Sequence, residues 1–247
     1  MLDHNINELI QDGVTVLRNI YSPTQIESLK KFASDLEFPI TELLNKPDVN
    51  KYKSVYKYET HFDIERTYNK NVYKLNNIQA IEIVKGRYDI SYDKCNKDLH
   101  TRIEEISNYF IKPSNRSYHW GLLTSSKNSE DGHWHRDTVN LNGDADEMGR
   151  YDDSPMVYHL KPFYFTILIP LVPLNEENGT PEFIKGSHKL LYKDSISEEK
   201  VKFYTDLGDV IMFDGRIFHR GCKNTSNQSR PVLYNVIHRN WYLESGK

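Results

Sequence analysis

The stretch GHWHRDTVN, from Gly132 to Asn140, alternates two histidines and an aspartate at positions 133, 135 and 137. In an extended segment successive side chains point to opposite faces, so these three share one side. All three are potential metal ligands, whereas Trp134 and Arg136 turn the other way. What completes the set lies far downstream, in GDVIMFDGRIFHRG, where His219 falls near the end of a strand hairpin.

Two imidazoles and one carboxylate make the facial triad of non-haem iron(II) oxygenases. That chemistry needs one carboxylate to offset part of the metal charge, and one open face for substrate and oxygen. His135, Asp137 and His219 supply such a set. A His-x-Asp pair alone recurs by chance, and Arg230 gives it weight. It follows His219 by eleven residues, at the start of the strand-like RPVLYNVIHRNWY. A hairpin would return it beside the metal, where a guanidinium offers a planar fork to the distal carboxylate of a dicarboxylate. The competing reading is a surface arginine closing the polar loop NTSNQSR.

Other residues carry weaker signals. His133 shares the face of His135 and reads as a rim histidine. A cupin-type His-x-His site would want a glutamate a few residues on, where Val139 and Asn140 stand. His188 belongs to a turn and reads as structural. Tyr118, Trp120 and Leu122 alternate along one strand, so they line either a pocket or the core. The segment LNGDADEMGRYDDSPMVYHLKP is long for a connection; it reads as a solvated acidic loop or as a lid.

These residues need a frame. VTVLRNI alternates as a strand does, and SPTQIESLKKFASDLEF reads as a helix, with Ser22 and Gln25 at capping-box spacing and Pro23 at its first position. A second helix is expected over about Asp98 to Ile111. From RSYHWGLLTSS onward, strand-like runs follow one another at 117–125, 163–172, 182–185, 201–204, 209–213, 217–222 and 231–242. Helices followed by about seven strands fit a mainly β fold with flanking helices, built on a double-stranded β-helix or jelly-roll core. One domain over 1–247 is expected, helix-rich over about 1–115 and jelly-roll over about 116–242.

Bulk properties narrow the class. The 247 residues carry a formal charge of −3 with no basic run, which argues against a nucleic-acid stripe. Cys95 and Cys222 are too few for a disulfide framework. The start MLDHNINELIQDG lacks the pattern of a signal peptide, and the most apolar run, FYFTILIPLVPL, is short and broken by Pro170 and Pro173. A soluble cytoplasmic protein with no membrane or nucleic-acid partner is expected. Seventeen tyrosines suit a strand-rich fold.

The segment NEENGTPEFIKGSHK resembles the Glu-Asn-Gly … Pro-Gly-Ser-His-Lys signature of phytanoyl-CoA hydroxylase-like dioxygenases. The order of WHRD, LGDVIMFDGRIFH and the following arginine resembles it too, as does DGVTVLRNIYSPTQIESLKKF. The matches cover 12–33 and 131–236, and about 40–115 match nothing nameable. The resemblance implies an Fe(II)- and 2-oxoglutarate-dependent oxygenase acting with O2 on a small-molecule or carrier-bound substrate, with release of succinate and CO2. It makes His135, Asp137 and His219 the iron ligands and Arg230 the clamp on 2-oxoglutarate. Two positions depart from the pattern. Lys185 replaces a turn proline, and Gly221 stands where relatives offer the cosubstrate a hydroxyl. Thr166 or Thr225 would supply that hydroxyl, Thr166 the better placed because it sits in a core strand. Hydroxylation is the default outcome, desaturation or ring closure uses the same ligands, and Asp137 argues against halogenation. From other classes, a non-catalytic small-acid-binding barrel and a metal-dependent isomerase or hydrolase stay open.

Overall fold

The strand FYFTILIP explains the architecture, because every residue of Tyr164–Pro170 is buried. A strand apolar on both faces must be covered on both. In the computed structural model, three helices cover one side and a second sheet covers the other. The structure describes residues 2–45, 52–58, 66–75, 78–92, 98–138, 160–190 and 199–242, with the side chains of 36–45, 52–78 and 92 excepted.

In chain order the elements are α1 (Leu2–Gln11), β1 (Val14–Leu17), α2 (Pro23–Asn45), β2 (Tyr52–Tyr58), β3 (Arg66–Leu75), β4 (Ile78–Val84), β5 (Arg87–Tyr92), α3 (Thr101–Phe110) and β6 (Arg116–Ser125). Then come β7 (Tyr164–Pro170), β8 (Pro181–Ile184), β9 (Lys200–Lys202), β10 (Val210–Asp214), β11 (His219–Gly221) and β12 (Arg230–Arg239). The large sheet runs β1-β10-β7-β12-β6-β5-β4-β3-β2, and the small one β11-β8-β9. All pairings within them are antiparallel. This is the antiparallel, jelly-roll type of core, with flanking helices.

Strand alternation sorts the side chains into two layers. Trp120, Leu122, Phe165, Ile167, Met212, Leu233 and Ile237 pack under the helices against Leu9, Ile26, Ile103 and Ile106. Val14, Leu168, Phe183, Ile211, Phe213, Val232, Tyr234 and Val236 fill the space between the sheets. Trp120 and Leu122 are therefore core, and the pocket face of β6 is the other one. There Gly121 leaves room for the ring of Tyr234, whose Cζ would lie 2.3 Å from an added Cβ.

The α2 cap forms as expected: the Ser22 N–H donates to Gln25 Oε1 at 2.9 Å, and the Gln25 N–H to Ser22 Oγ at 3.4 Å. The helix runs on to Asn45, past the expected end at Phe38. Helix α1 was not foreseen. Within 1–115 strands β2–β5 accompany the helices and extend the large sheet beyond β6. Strands such as RTYNKNVYKL interleave Lys and Asn with Tyr and Val, so their apolar signal is faint. Among the described residues, no helix is long and apolar enough to cross a membrane.

The turn that leads to His219 is held by a buried ion pair. Arg216 donates through Nε to Asp214 Oδ1 at 2.9 Å and through Nη2 to Asp214 Oδ2 at 2.5 Å, with both residues buried. Removing one partner of such a pair leaves an uncompensated buried charge. Asp214→Ala or Arg216→Ala should destabilise the fold by about 3–5 kcal/mol in urea titrations, and Asp214→Leu/Arg216→Met together by less.

Candidate metal and cosubstrate site

The segment around His135 lies antiparallel beside β11. His135 and His219 exchange two backbone hydrogen bonds, each 3.0 Å long, and Gly132 N–H donates to the Gly221 carbonyl at 2.8 Å. Residues paired this way present their side chains on one face, so the imidazoles stand together with centroids 4.3 Å apart. Two residues on, Asp137 returns to the same face, fixed by its N–H donating to the Gly215 carbonyl at 2.8 Å. Its Oδ1 lies 3.7 Å from His135 Nε2 and 3.4 Å from His219 Nε2. The three donor atoms all lie within 4.8 Å of one another.

Hydrogen bonding sets the tautomers. His135 Nδ1 is 2.8 Å from the His133 carbonyl, and His219 Nδ1 is 3.1 Å from the Ile217 carbonyl. A carbonyl only accepts, so each Nδ1 carries a proton, and each Nε2 is the ring nitrogen that faces Asp137. The Thr166 hydroxyl donates to Asp137 Oδ2 at 2.5 Å, which leaves Oδ1 to face the imidazoles. His135 Nε2, Asp137 Oδ1 and His219 Nε2 thus face one another, spaced as the donor atoms of a metal site are. Phe213 and Phe183 pack on the His219 ring, at 4.6 and 5.8 Å between centroids, and His219 is buried. His135 and Asp137 are half-buried, so the centre opens on their side.

Arg230 is not the surface residue of the alternative reading, being only 5% exposed. It stands opposite Ser125 and donates through Nη2 to Ser125 Oγ at 2.9 Å. Its Nη1 faces the carbonyls of Asn178 at 3.1 Å, Cys222 at 3.2 Å and, closest, Gly179. Its Nε is buried with no partner. On the far side of Ser125 stands Arg87, to which no sequence motif points. Arg87 donates through Nε to Ser125 Oγ at 3.0 Å, through Nη1 to the Gly221 carbonyl at 2.7 Å and through Nη2 to the Cys222 carbonyl at 2.6 Å. No carboxylate of the described residues pairs with either arginine. Burial pushes the Arg87 pKa down to about 10, against the opposing fields of Cys222 and Asp131. Burial, and then the charge of Arg87, pushes Arg230 down to about 9.

The two threonines considered for the missing hydroxyl are engaged elsewhere. Thr166 pairs with Val236, level with the metal ligands and six residues from Arg230 along the sheet, so its hydroxyl serves Asp137. Thr225 donates to the Glu177 carbonyl at 2.9 Å on the surface. Ser125 is the hydroxyl that stands between the guanidiniums. His133 lies outside the donor cluster and contributes its carbonyl. His188 is structural: it is buried against the Ile10 carbonyl, and burial pushes its pKa down to about 4. Most of the acidic 141–161 segment lies outside the described residues.

The family profile of phytanoyl-CoA dioxygenase (PhyH) matches residues 9–232, and the chain belongs to that family. Iron(II) and 2-oxoglutarate are its cofactors, in keeping with the His135, Asp137 and His219 cluster. The dioxygenase af480 of Aspergillus fumigatus is 26% identical over 98 residues, 36% of this chain and 32% of that protein, so the match spans about a third of the relative. The fold is similar to that of AviO1 from Streptomyces viridochromogenes, with TM-score 0.64 and 16% identity over 99% of this chain and 97% of the other. It is also similar to the epimerase SnoN in complex with Fe3+, alpha ketoglutarate and nogalamycin RO, with TM-score 0.61 and 13% identity over 96% and 83% of the two chains.

The hydroxyl on Asp137 gives a direct test of the metal centre. Thr166→Val should weaken Mn(II) or Fe(II) binding by about tenfold or more in calorimetric titration, as loss of an orienting partner does. His135→Ala and His219→Ala should bind metal far more weakly still, with folds unchanged by circular dichroism. His133→Ala should bind as the wild type does.

Proposed function

We propose that the chain is one catalytic domain that hydroxylates a small or carrier-bound organic substrate, consuming 2-oxoglutarate and O2 and releasing succinate and CO2. His135, Asp137 and His219 hold the iron, and Arg230 holds the distal carboxylate. One observation carries this reading: two imidazoles and a carboxylate cluster in the layer between the sheets, and the same layer holds a buried arginine that has no carboxylate of its own. A hydrolase or isomerase that works without 2-oxoglutarate would not need that arginine.

Bound iron and 2-oxoglutarate supply the oxidising chemistry, and the chain's own residues set where it acts. Asp137 would offset part of the metal charge, and the Thr166 hydroxyl holds its Oδ2. As a ligand Asp137 also occupies the place a halide would need. Phe183 and Phe213 shield the His219 side, so substrate and oxygen approach from the side of His135. SnoN, a fold relative, is an epimerase. Hydrogen removal without oxygen insertion is therefore the second reading, and product mass separates the two. A reducing, cytoplasmic setting suits the buried free Cys222.

Succinate formed from 2-oxoglutarate should require added iron(II). Arg230→Ala should raise the KM for 2-oxoglutarate at least about tenfold while iron binding holds, given the worth of charge-assisted hydrogen bonds. Arg230→Lys should recover part of it, keeping the charge without the planar fork. Arg220 pairs with Glu182 at 2.8 Å, and Arg239 donates to the Phe110 carbonyl at 3.0 Å, so alanine at either should leave that KM unchanged. Succinate absent under every condition would end the oxygenase reading.

A further inference from the structure

Arg87 has no counterpart among the motifs that carried the family resemblance, yet it reaches the same end of the barrel as Arg230. The register explains how. β12 sets Arg230 opposite Ser125, and β5 sets Arg87 opposite the same serine from the other side. Side chains directly opposite one another share a face, so Arg87, Ser125 and Arg230 form a row pointing between the sheets.

The backbone is cleared to admit the guanidinium. A Cβ at Gly221 would sit 2.5 Å from Arg87 Nη1, and one at Gly132 would sit 2.6 Å from it. Gly221 lies two residues after His219, on the ligand face of β11. The Arg87 headgroup therefore fills the space that a side chain at 221 would occupy. Both guanidiniums are buried, both use Ser125 Oγ, and their remaining contacts are carbonyl oxygens. Arg87 has five N–H donors, of which three are directed at acceptors here, and Arg230 Nε has none. Two adjacent buried cations with donors to spare are a site for an anion that accepts from both. A carboxylate, with two oxygens and about four lone-pair directions, is such an anion. Asp131 adds a favourable field at Arg87, but it is exposed and accepts from the Lys223 N–H at 2.7 Å.

We propose that Arg87 is a second guanidinium for the distal carboxylate of 2-oxoglutarate, acting with Arg230 across Ser125 and replacing the hydroxyl that Gly221 cannot supply. This rests on the reading of Arg230 given above. Its consequence is specificity: the pocket selects an oxoacid by the full charge at its far end.

The test uses the whole protein loaded with Ni(II), titrated calorimetrically with 2-oxoglutarate and with 2-oxopentanoate, which keeps the oxoacid head and lacks the distal carboxylate. Arg87→Ala should lose at least about tenfold in affinity for 2-oxoglutarate and less than about twofold for 2-oxopentanoate, with Ni(II) affinity unchanged. Arg87→Lys should fall between, because the ammonium keeps charge and loses the fork. Gly221→Ala keeps Arg87 but pushes its headgroup aside, so it should show the same selective loss. If Arg87→Ala does not fold, these two variants decide the matter. Equal losses for both oxoacids, or none for either, would reduce Arg87 to a prop for the 221–222 carbonyls and overturn the proposal. A wild-type protein that does not prefer 2-oxoglutarate would sink the cosubstrate reading itself. A preference lost in Arg230→Ala but kept in every Arg87 and Gly221 variant would sink only the role of Arg87.

Discussion

Two main-chain hydrogen bonds between His135 and His219 fix where every donor of the metal site lies. They lock a segment outside the regular strands onto β11 in one register. A slip of one residue would turn the histidines to opposite faces and bring Arg136 inward instead. Each imidazole also leans back on the carbonyl two residues before it, which turns its Nε2 toward the cluster. The same register also sets Asp137 within reach of Thr166, which belongs to the other sheet. Sheet pairing, imidazole orientation and carboxylate orientation thus meet at one place.

The hairpin that presents His219 is steadied by polar groups buried at some cost. Asp214 and Arg216 satisfy each other, and Arg216 also donates to the Leu160 carbonyl at 2.8 Å. Ser187 Oγ accepts from the Phe218 N–H at 2.8 Å, which ties the turn of the GSHK motif directly to the residue before the ligand. Arg136 lies on the face away from the metal, donating to the carbonyls of Ser187 and Leu190 and stacking 4.0 Å over the Phe218 ring. The turn signature and the metal motif are therefore one packed unit, and their joint appearance in the sequence has a physical cause.

The metal end of the site is legible in the sequence. His135, Asp137 and His219 announce themselves because the chemistry restricts residue type and strand alternation restricts spacing. Arg230 is legible because it follows His219 closely through a single hairpin. Arg87 is not, since it lies 132 residues before His219 in a stretch without a nameable motif. Only the pairing of β5 with β6 and of β6 with β12 brings it beside Arg230. The role of Thr166 is hidden for the same reason. A buried threonine in a core strand is visible in sequence, but whether it stands level with the metal or with the arginine depends on strand register. Strand β3 escapes because most of its residues are polar, and β2 because Lys and Ser interrupt its tyrosines, so pairing holds them where hydrophobic patterning is weak.

The two ends of the site have opposite deficits. At the metal end two imidazoles and a carboxylate crowd together, and at the arginine end cationic donors sit in the interior with only carbonyls and one hydroxyl to meet them. Either arrangement alone opposes folding, because buried charge and crowded polar groups are both unfavourable. A cation on one side and an anion on the other, as the proposed function has it, would offset both. Whatever binds only the folded chain stabilises it in proportion to the logarithm of its concentration over Kd. Iron and 2-oxoglutarate therefore count among the interactions that hold this barrel closed, as well as supplying its chemistry.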